Sequence, residues 1–337
     1  MGGGLSRSDV ASLALSLGAA SLSVYLVLRP TAEPRRAKRS KSEKKADQIR
    51  RMNQVERLIM ERGKHGTEDF RVHVLAKGGG ETVAELSLWH DIPLVADSGA
   101  KDGTAELFNF ICEIPKCTRK KFEVATKEGA TPIKQDTKKG VLREFKKGDI
   151  FFNYGCFPRT WENPRVVSPD TGFPGDNDPL DVCEIGLRQI KTGEIRAVKV
   201  LGILAMIDDD ETDWKVVVID AADPWADELN DVDDCERLIP GTLDLIREWF
   251  RTYKVPDGKP ENKFGFDEKF LPASYAHKVI HETHEEWAKL VHAGESESDG
   301  LHLPSKDKLD CETVHRDSKI IRNLSNSNLL AAAATAA

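Results

Sequence analysis

Two runs rich in β-branched residues constrain this chain more than any other feature. They are Val198 to Ile207 and Val216-Val217-Val218-Ile219. Between them lies Asp208-Asp209-Asp210-Glu211-Thr212-Asp213-Trp214-Lys215. β-branched side chains suit a pleated surface, so the runs read as strands joined by an acidic turn. Asp208 and Asp213 then sit at the mouth of one hairpin. Lys215 is two residues beyond Asp213, so both point to the same strand face. A cation beside carboxylates predicts an anionic substrate held together with metal.

Upstream, Gly175-Asp176-Asn177-Asp178-Pro179-Leu180-Asp181 packs three carboxylates into a segment of turn-forming residues. Folding alone favours no such crowding, because the charges repel. Hard cations neutralise it, and Mg²⁺ takes few carboxylates plus waters and substrate phosphates. The plain alternative is a solvated Asp-rich turn. An EF-hand calcium loop is excluded, because counting from Asp176 puts Leu180, Asp181 and Leu187 where oxygen, Gly and Glu are needed. A zincin helix is excluded too: His281-Glu282-Thr283-His284 is one residue short of H-E-x-x-H. His277, His281 and His284 share a helical face, read as a polar face beside the apolar stripe Ile280, Trp287, Val291.

Elsewhere Phe70 to Leu75 alternates like a strand, followed by the turn Gly78-Gly79-Gly80. Further strand-like runs lie at Phe108 to Glu113, Lys121 to Ala125 and Val182 to Ile185. Pro240-Gly241 opens a helix carrying Leu243, Ile246, Phe250 and Tyr253, stopped before Pro256. A second helix is predicted from Ser274 to His292. Short strands followed by helices fit an α+β, mainly β fold or a small barrel, and pattern leaves that choice open.

The charge is unevenly placed. Residues 29–51 hold ten Lys/Arg against three Asp/Glu, a net +7, in a chain of net −7 with residues 1–28 balanced. The remainder therefore carries −14. An acidic body suits a metal-loaded cavity and argues against nucleic acid as substrate. Six Cys show no C-x-x-C pair and read as reduced thiols, so the protein is not expected to be secreted. Val10 to Leu28 is uncharged over 19 residues, close to the ~20 that span a bilayer. We read 1–28 as an anchor or targeting segment. Met1-Gly2-Gly3-Gly4-Leu5-Ser6 also fits the myristoylation pattern. Residues 29–66 read as a basic linker and an amphipathic helix carrying Ala46, Ile49, Met52, Val55, Leu58 and Ile59. Residues 67–293 form the catalytic body, and 294–337 a disordered tail.

Asp176-Asn177-Asp178-Pro179-Leu180-Asp181-Val182 resembles the signature of soluble family I inorganic pyrophosphatases. The resemblance extends through Trp89-His90-Asp91-Ile92-Pro93-Leu94, Glu113-Ile114-Pro115, Pro132 to Gly140, Asn153-Tyr154-Gly155, Thr160-Trp161-Glu162 and Tyr253 to Pro260. It covers about Phe70 to Val291 and is similar to the eukaryotic type, nearest in wording to plant and algal organellar members. It implies an OB-like five-stranded barrel flanked by helices, with the site in its mouth. It implies Asp176, Asp181 and Asp213 as ligands of the first metal, with Asp181 bridging to a second. Asp178 matches the carboxylate on the nucleophilic water. Asp208 and Glu123 match holders of metals arriving with substrate. Lys121, Arg143, Tyr154, Lys215, Tyr253 and Lys254 match the groups gripping two phosphates, and Glu113 an acidic cavity residue. The segment Glu144 to Asn153 is shorter than in the fungal and animal type, with Ile150 where those have an extra Tyr.

The implied activity is Mg²⁺-dependent hydrolysis of pyrophosphate to two phosphates. Divalent ions would neutralise the phosphates and lower the pKa of water, and positioning and charge stabilisation would carry the rest. The alternative is a catalytically silent, metal-binding scaffold. Two expectations about partners stand beside this, membrane contact through residues 10–28 and a homodimer. The expected location is the cytosolic face of a membrane or an organelle, plastid or mitochondrion.

Overall fold

The structure, a computed structural model, describes residues 56–77, 83–96 and 106–304. The apolar run Val10 to Leu28, the basic segment after it, the turn Gly78-Gly79-Gly80 and residues 305–337 lie outside the described residues. The first strands are β1 (Glu56–Arg62), β2 (Arg71–Lys77), β3 (Val83–Leu86), β4 (Leu107–Ile114), β5 (Phe122–Val124) and β6 (Ile133–Gln135). Next come β7 (Thr137–Lys138), β8 (Val141–Leu142), β9 (Asn153–Cys156), β10 (Asp181–Glu184), β11 (Ile195–Asp208) and β12 (Glu211–Asp220). The chain then turns helical with α1 (Val232–Leu238) and α2 (Thr242–Thr252). Two short strands, β13 (Lys263–Phe264) and β14 (Leu271–Pro272), precede the long α3 (Ala273–Ala293).

The strands β12, β10, β9, β4 and β11 are hydrogen-bonded in that order, and β11 pairs again with β12. Five strands thus close a ring, which leaves no open edge along it. Only β10 and β12 run parallel; the other four pairings are antiparallel. This is the five-stranded, OB-like barrel that the resemblance implies. A second sheet, β1-β2-β6-β5 with β3 on β2, stands beside it.

Burial on both strand faces explains why Val216 to Ile219 reads as a continuous apolar run. On β12, Val216 and Val218 join the core that holds Val279 and Ile280 of α3. Val217 and Ile219 face the other way and join the core that holds Ile246 and Phe250 of α2. Successive side chains on a strand alternate sides, so one strand feeds two cores. The helix α3 buries Ala276, Val279, Ile280, Thr283, His284, Trp287, Leu290 and Val291, a stripe at helical spacing.

Three sequence expectations need correction. The helix read through Leu58 and Ile59 is the strand β1 there, with Leu58 opposite Leu75 and Ile59 opposite Val74. A partner strand gives that backbone a full ladder of bonds, which outweighs a weak helical period. The body therefore begins at Glu56, inside the segment read as linker. The tail is ordered further than expected: Leu301 is buried, His302 N–H donates to Thr126 O at 2.8 Å, and the body runs to Pro304. His284 is fully buried, with Nδ1 2.7 Å from Arg159 O, so it belongs to the core and not to a polar face.

Candidate active site

The ring of strands sets the site by register. In the parallel pair, Asp181 of β10 lies opposite Lys215 of β12. In the antiparallel neighbour, Asp181 lies opposite Cys156 and Cys183 opposite Tyr154. Lys215 Nζ donates to Asp181, to Asp213, and to Tyr154 Oη at 3.1 Å. Tyr154 Oη in turn donates to Asp181. Gly155 lets β9 come this close to β4: a Cβ there would stand 1.9 Å from Ile111 O. Tyr154 is thereby placed beside the carboxylates.

The Asp loop is bent by local chemistry. Asn177 takes φ 73°, a left-handed conformation that Asn tolerates. Asp178 N–H donates to Asp176 Oδ1 at 3.0 Å, and Trp161 Nε1 donates to Asn177 Oδ1 at 3.0 Å. Three other segments are stitched by backbone bonds: Lys121 N to Arg143 O, Asp136 N to Lys121 O and Arg143 N to Asp136 O. Their side chains repeat the pattern. Asp136 Oδ2 accepts from Lys121 Nζ at 2.9 Å and from Arg143. Past the end of α2, Tyr253 Oη donates to Asp208 at 3.1 Å, and Lys254 Nζ donates to the same carboxylate. Phe145, from the shortened segment, packs edge-on against Tyr253 at 5.9 Å.

All thirteen residues singled out from the sequence line one cavity of about 270 Å³. The loop gives Asp176, Asp178 and Asp181; the hairpin gives Asp208, Asp213 and Lys215; Tyr154 comes from β9 and Glu113 from β4. Lys121, Glu123, Arg143, Tyr253 and Lys254 complete it. Ile150 is buried and is not among the residues lining it. No described histidine lines it either.

The electrostatics are those of crowded carboxylates. Burial and then Asp213 and Asp178 hold Asp176 well above the usual carboxylate range. Burial pushes Asp213 up to about 7, although Lys215 opposes the rise. Asp178 opens to solvent on one side, yet the enclosing walls, and after them Glu123, push it up to about 6. Glu113 is raised by burial and by Asp181, and its Oε1 accepts from Val124 N–H at 2.6 Å. Burial disfavours the Lys215 ammonium, but Asp181 and Asp213 outweigh it and raise its pKa.

The donor set fits a hard divalent cation. The ligand atoms of Glu162, Asp176 and Asp213 lie within 4.8 Å of one another, all carboxylate oxygens. Glu162 is 3% exposed; its Oε1 accepts from Trp214 N–H at 3.0 Å, while Oε2 has no hydrogen-bond partner among the described residues. A buried, unpaired carboxylate oxygen is costly unless a cation or its water meets it.

A family model described as inorganic pyrophosphatase matches residues 110–288. The inorganic pyrophosphatase of Zygosaccharomyces bailii is 45% identical over 255 residues, 74% of this chain and 85% of that protein. The chain belongs to the inorganic pyrophosphatase family.

A plant relative, soluble inorganic pyrophosphatase 6, chloroplastic, of Arabidopsis thaliana, is 50% identical over 69% of this chain and 74% of its own. Among solved structures, the N-terminal-domain-truncated vacuolar soluble pyrophosphatase of Trypanosoma cruzi in complex with PPi is similar with a TM-score of 0.67. It is 47% identical, over 70% of this chain and 91% of that one. Against this pyrophosphatase frame, two residues were missed from the sequence. Glu162 lay in the quoted Thr160-Trp161-Glu162 block but had no acidic neighbour to mark it. Asp136 lay in Pro132 to Gly140, and only the fold shows that it holds two cations at once.

Proposed function

We propose that this chain is a Mg²⁺-dependent inorganic pyrophosphatase, cleaving pyrophosphate to two phosphates. One observation carries the reading: the proposed metal ligands and the proposed phosphate-gripping cations are paired with each other. Lys215 holds Asp181 and Asp213, Lys254 holds Asp208, and Lys121 lies 3.3 Å from Glu123. A magnesium pyrophosphate offers each partner a replacement, cation for carboxylate and phosphate for ammonium. Binding then exchanges ion pairs instead of exposing bare charges.

In this reading Asp176, Asp181 and Asp213 hold the ion, with Asp208 and Glu123 meeting ions that arrive with substrate. When bound, divalent ions supply charge neutralisation and a more acidic water. The chain's own residues do the rest. Asp178 takes a proton from the attacking water, as a general base beside the metal ligands. Arg143 grips phosphate through a planar fork, while Lys121, Lys215 and Lys254 act as point charges. Tyr154 and Tyr253 stay protonated, since burial and then Asp181 or Asp208 hold their pKa values well up, so both can donate to phosphate oxygens.

Phosphate release from pyrophosphate, with Mg²⁺, with Ca²⁺ and in excess EDTA, tests this. Turnover is expected with Mg²⁺, inhibition with Ca²⁺ because of its looser geometry, and none in EDTA. Turnover in EDTA would overturn the reading. The chloroplastic relatives of Arabidopsis thaliana and Chlamydomonas reinhardtii support an organellar location for this chain. Membrane contact through residues 10–28 and a homodimer remain part of the proposal. Comparing full-length protein with a form starting near Lys45, for kcat, membrane association and mass in solution, checks the membrane contact and the homodimer.

A further inference from the structure

The proposed phosphate-gripping residues past the hairpin fall into two groups, each gathered by one carboxylate. Lys121 and Arg143 meet on Asp136, and Tyr253 and Lys254 meet on Asp208. The segment that follows Arg143 ties one group to the other. On its near side it is laced to the chain around Lys121. Lys121 N–H donates to Arg143 O at 3.0 Å, and Phe145 N–H donates to Arg119 O at 2.8 Å.

On its far side Phe145, Lys146 and Lys147 each reach the stretch that carries Tyr253 and Lys254. Buried Phe145 packs edge-on against Trp249 and against Tyr253, with ring centroids 5.9 Å away in both cases. Lys146 Nζ lies 2.7 Å from Asp257 Oδ1, in the turn Val255–Asp257 just beyond Lys254. Lys147 Nζ donates to Glu248 O at 2.8 Å, to Trp249 O at 3.3 Å and to Thr252 Oγ1. It also stands 5.0 Å from the centre of the Trp249 ring. The carbonyl end of a helix carries unpaired acceptors and partial negative charge, so an ammonium seated there fixes the end of α2. Tyr253 and Lys254 are thus held from before, from after and at the Tyr253 ring itself. Lys147 is not among the residues lining the cavity.

We propose that Lys147, helped by Phe145 and Lys146, is a positioning residue that sets the spacing between the two phosphate-gripping groups. A ligand with two linked phosphates needs both groups at the right separation. A single phosphate needs only one group, so its affinity does not depend on the brace. This rests on the pyrophosphatase reading above.

The test uses the full chain with two substitutions. Lys147→Met keeps the stem and removes the donor, while Lys147→Arg keeps both donor and charge. Steady-state kinetics with magnesium pyrophosphate, competitive inhibition by phosphate and the melting temperature are measured on each. Lys147→Met is expected to raise KM about 5-fold, less than a buried charged hydrogen bond would give, because Lys147 is exposed. The kcat and the inhibition constant of phosphate should change little, and Lys147→Arg should restore KM. In a Lys254→Met background, Lys147→Met should add little, because a residue that acts through another loses its effect once that other is gone. KM and the phosphate inhibition constant rising together, or a lower melting temperature with KM unchanged, would overturn the proposal. So would effects of the two substitutions that simply add. If the unsubstituted chain fails to hydrolyse magnesium pyrophosphate, the pyrophosphatase reading falls, and this inference with it. If that chain turns over normally and Lys147→Met leaves KM unchanged, this inference alone falls.

Discussion

Asp136 is a carboxylate that serves cations. It holds Lys121 and Arg143, and although burial disfavours its charge, Lys121 and Arg143 bring its pKa below the usual range. Both cations are proposed to grip phosphate, so Asp136 acts by positioning them. Asp136→Asn keeps the shape and removes the charge. KM for magnesium pyrophosphate should rise ~10-fold with a smaller change in kcat, the scale of one lost charged hydrogen bond. An unchanged KM in steady-state kinetics would show that Lys121 and Arg143 need no such support. Asp178 differs, because it is proposed to act on the water itself. Asp178→Asn should lower kcat at least ~10²-fold, the scale of general-base catalysis, with KM little moved. Near-normal kcat in a folded variant would remove Asp178 from that role.

Among the elements, α3 does more than cover the barrel. Trp287 Nε1 donates to His90 Nδ1 at 3.0 Å, which leaves the His90 proton on Nε2. That nitrogen lies 2.9 Å from His302 O and donates to it. Burial keeps His90 neutral, lowering its pKa to about 3. A buried histidine thus fastens residues 294–304 to the body, together with Leu301, which is 5% exposed. A chain ended after residue 293 should melt lower than one ended after 304 by roughly 5 °C, since burying Leu301 alone is worth ~2 kcal/mol and each kcal/mol moves a domain of this size by ~2–4 °C. Equal melting temperatures by calorimetry would show that the segment only rests on the surface.

For the whole molecule, the crowded carboxylates make the metal-free state sensitive to pH. Asp213 and Asp178 are raised to about 7 and about 6, and Asp176, Glu113 and Glu162 are raised as well. In the unfolded chain such groups titrate near ~4. Between about pH 4 and 7 the folded state therefore holds more protons than the unfolded one, and its stability falls as pH rises. Buried His90, His277 and His284 are lowered to about 3, 4 and 4 and act oppositely, adding stability as pH rises to ~6.5. They lie outside the metal cluster, so comparing Mg²⁺ with EDTA cancels them. The rise in melting temperature caused by Mg²⁺ should grow from pH 5.5 to 8. A rise that stays flat would mean that metal binding displaces no protons.

The strands of the hairpin, the helices from Thr242 and Ala273, and the residues of the Asp loop could be read from the chain because their signals are local. β-branched runs, helical spacing and clustered charge each act within a few residues. The strand β1 could not be read, since its stability comes from pairing with β2, and a weak helical period in isolation pointed elsewhere. The same holds for residues 294–304, whose polar composition hides Leu301, Leu303 and the backbone bond from His302 to Thr126 that dock them. Nor could the sequence show that Glu162 leaves one oxygen unpaired beside Asp176 and Asp213, or that Asp136 joins two cations. Those relations bridge 14 and 51 residues in one case and 15 and 7 in the other. The first exists because the barrel brings the Asp loop and the hairpin together beside Glu162, and the second because backbone bonds stitch the segments at Lys121, Asp136 and Arg143; both are properties of pairing between separate segments.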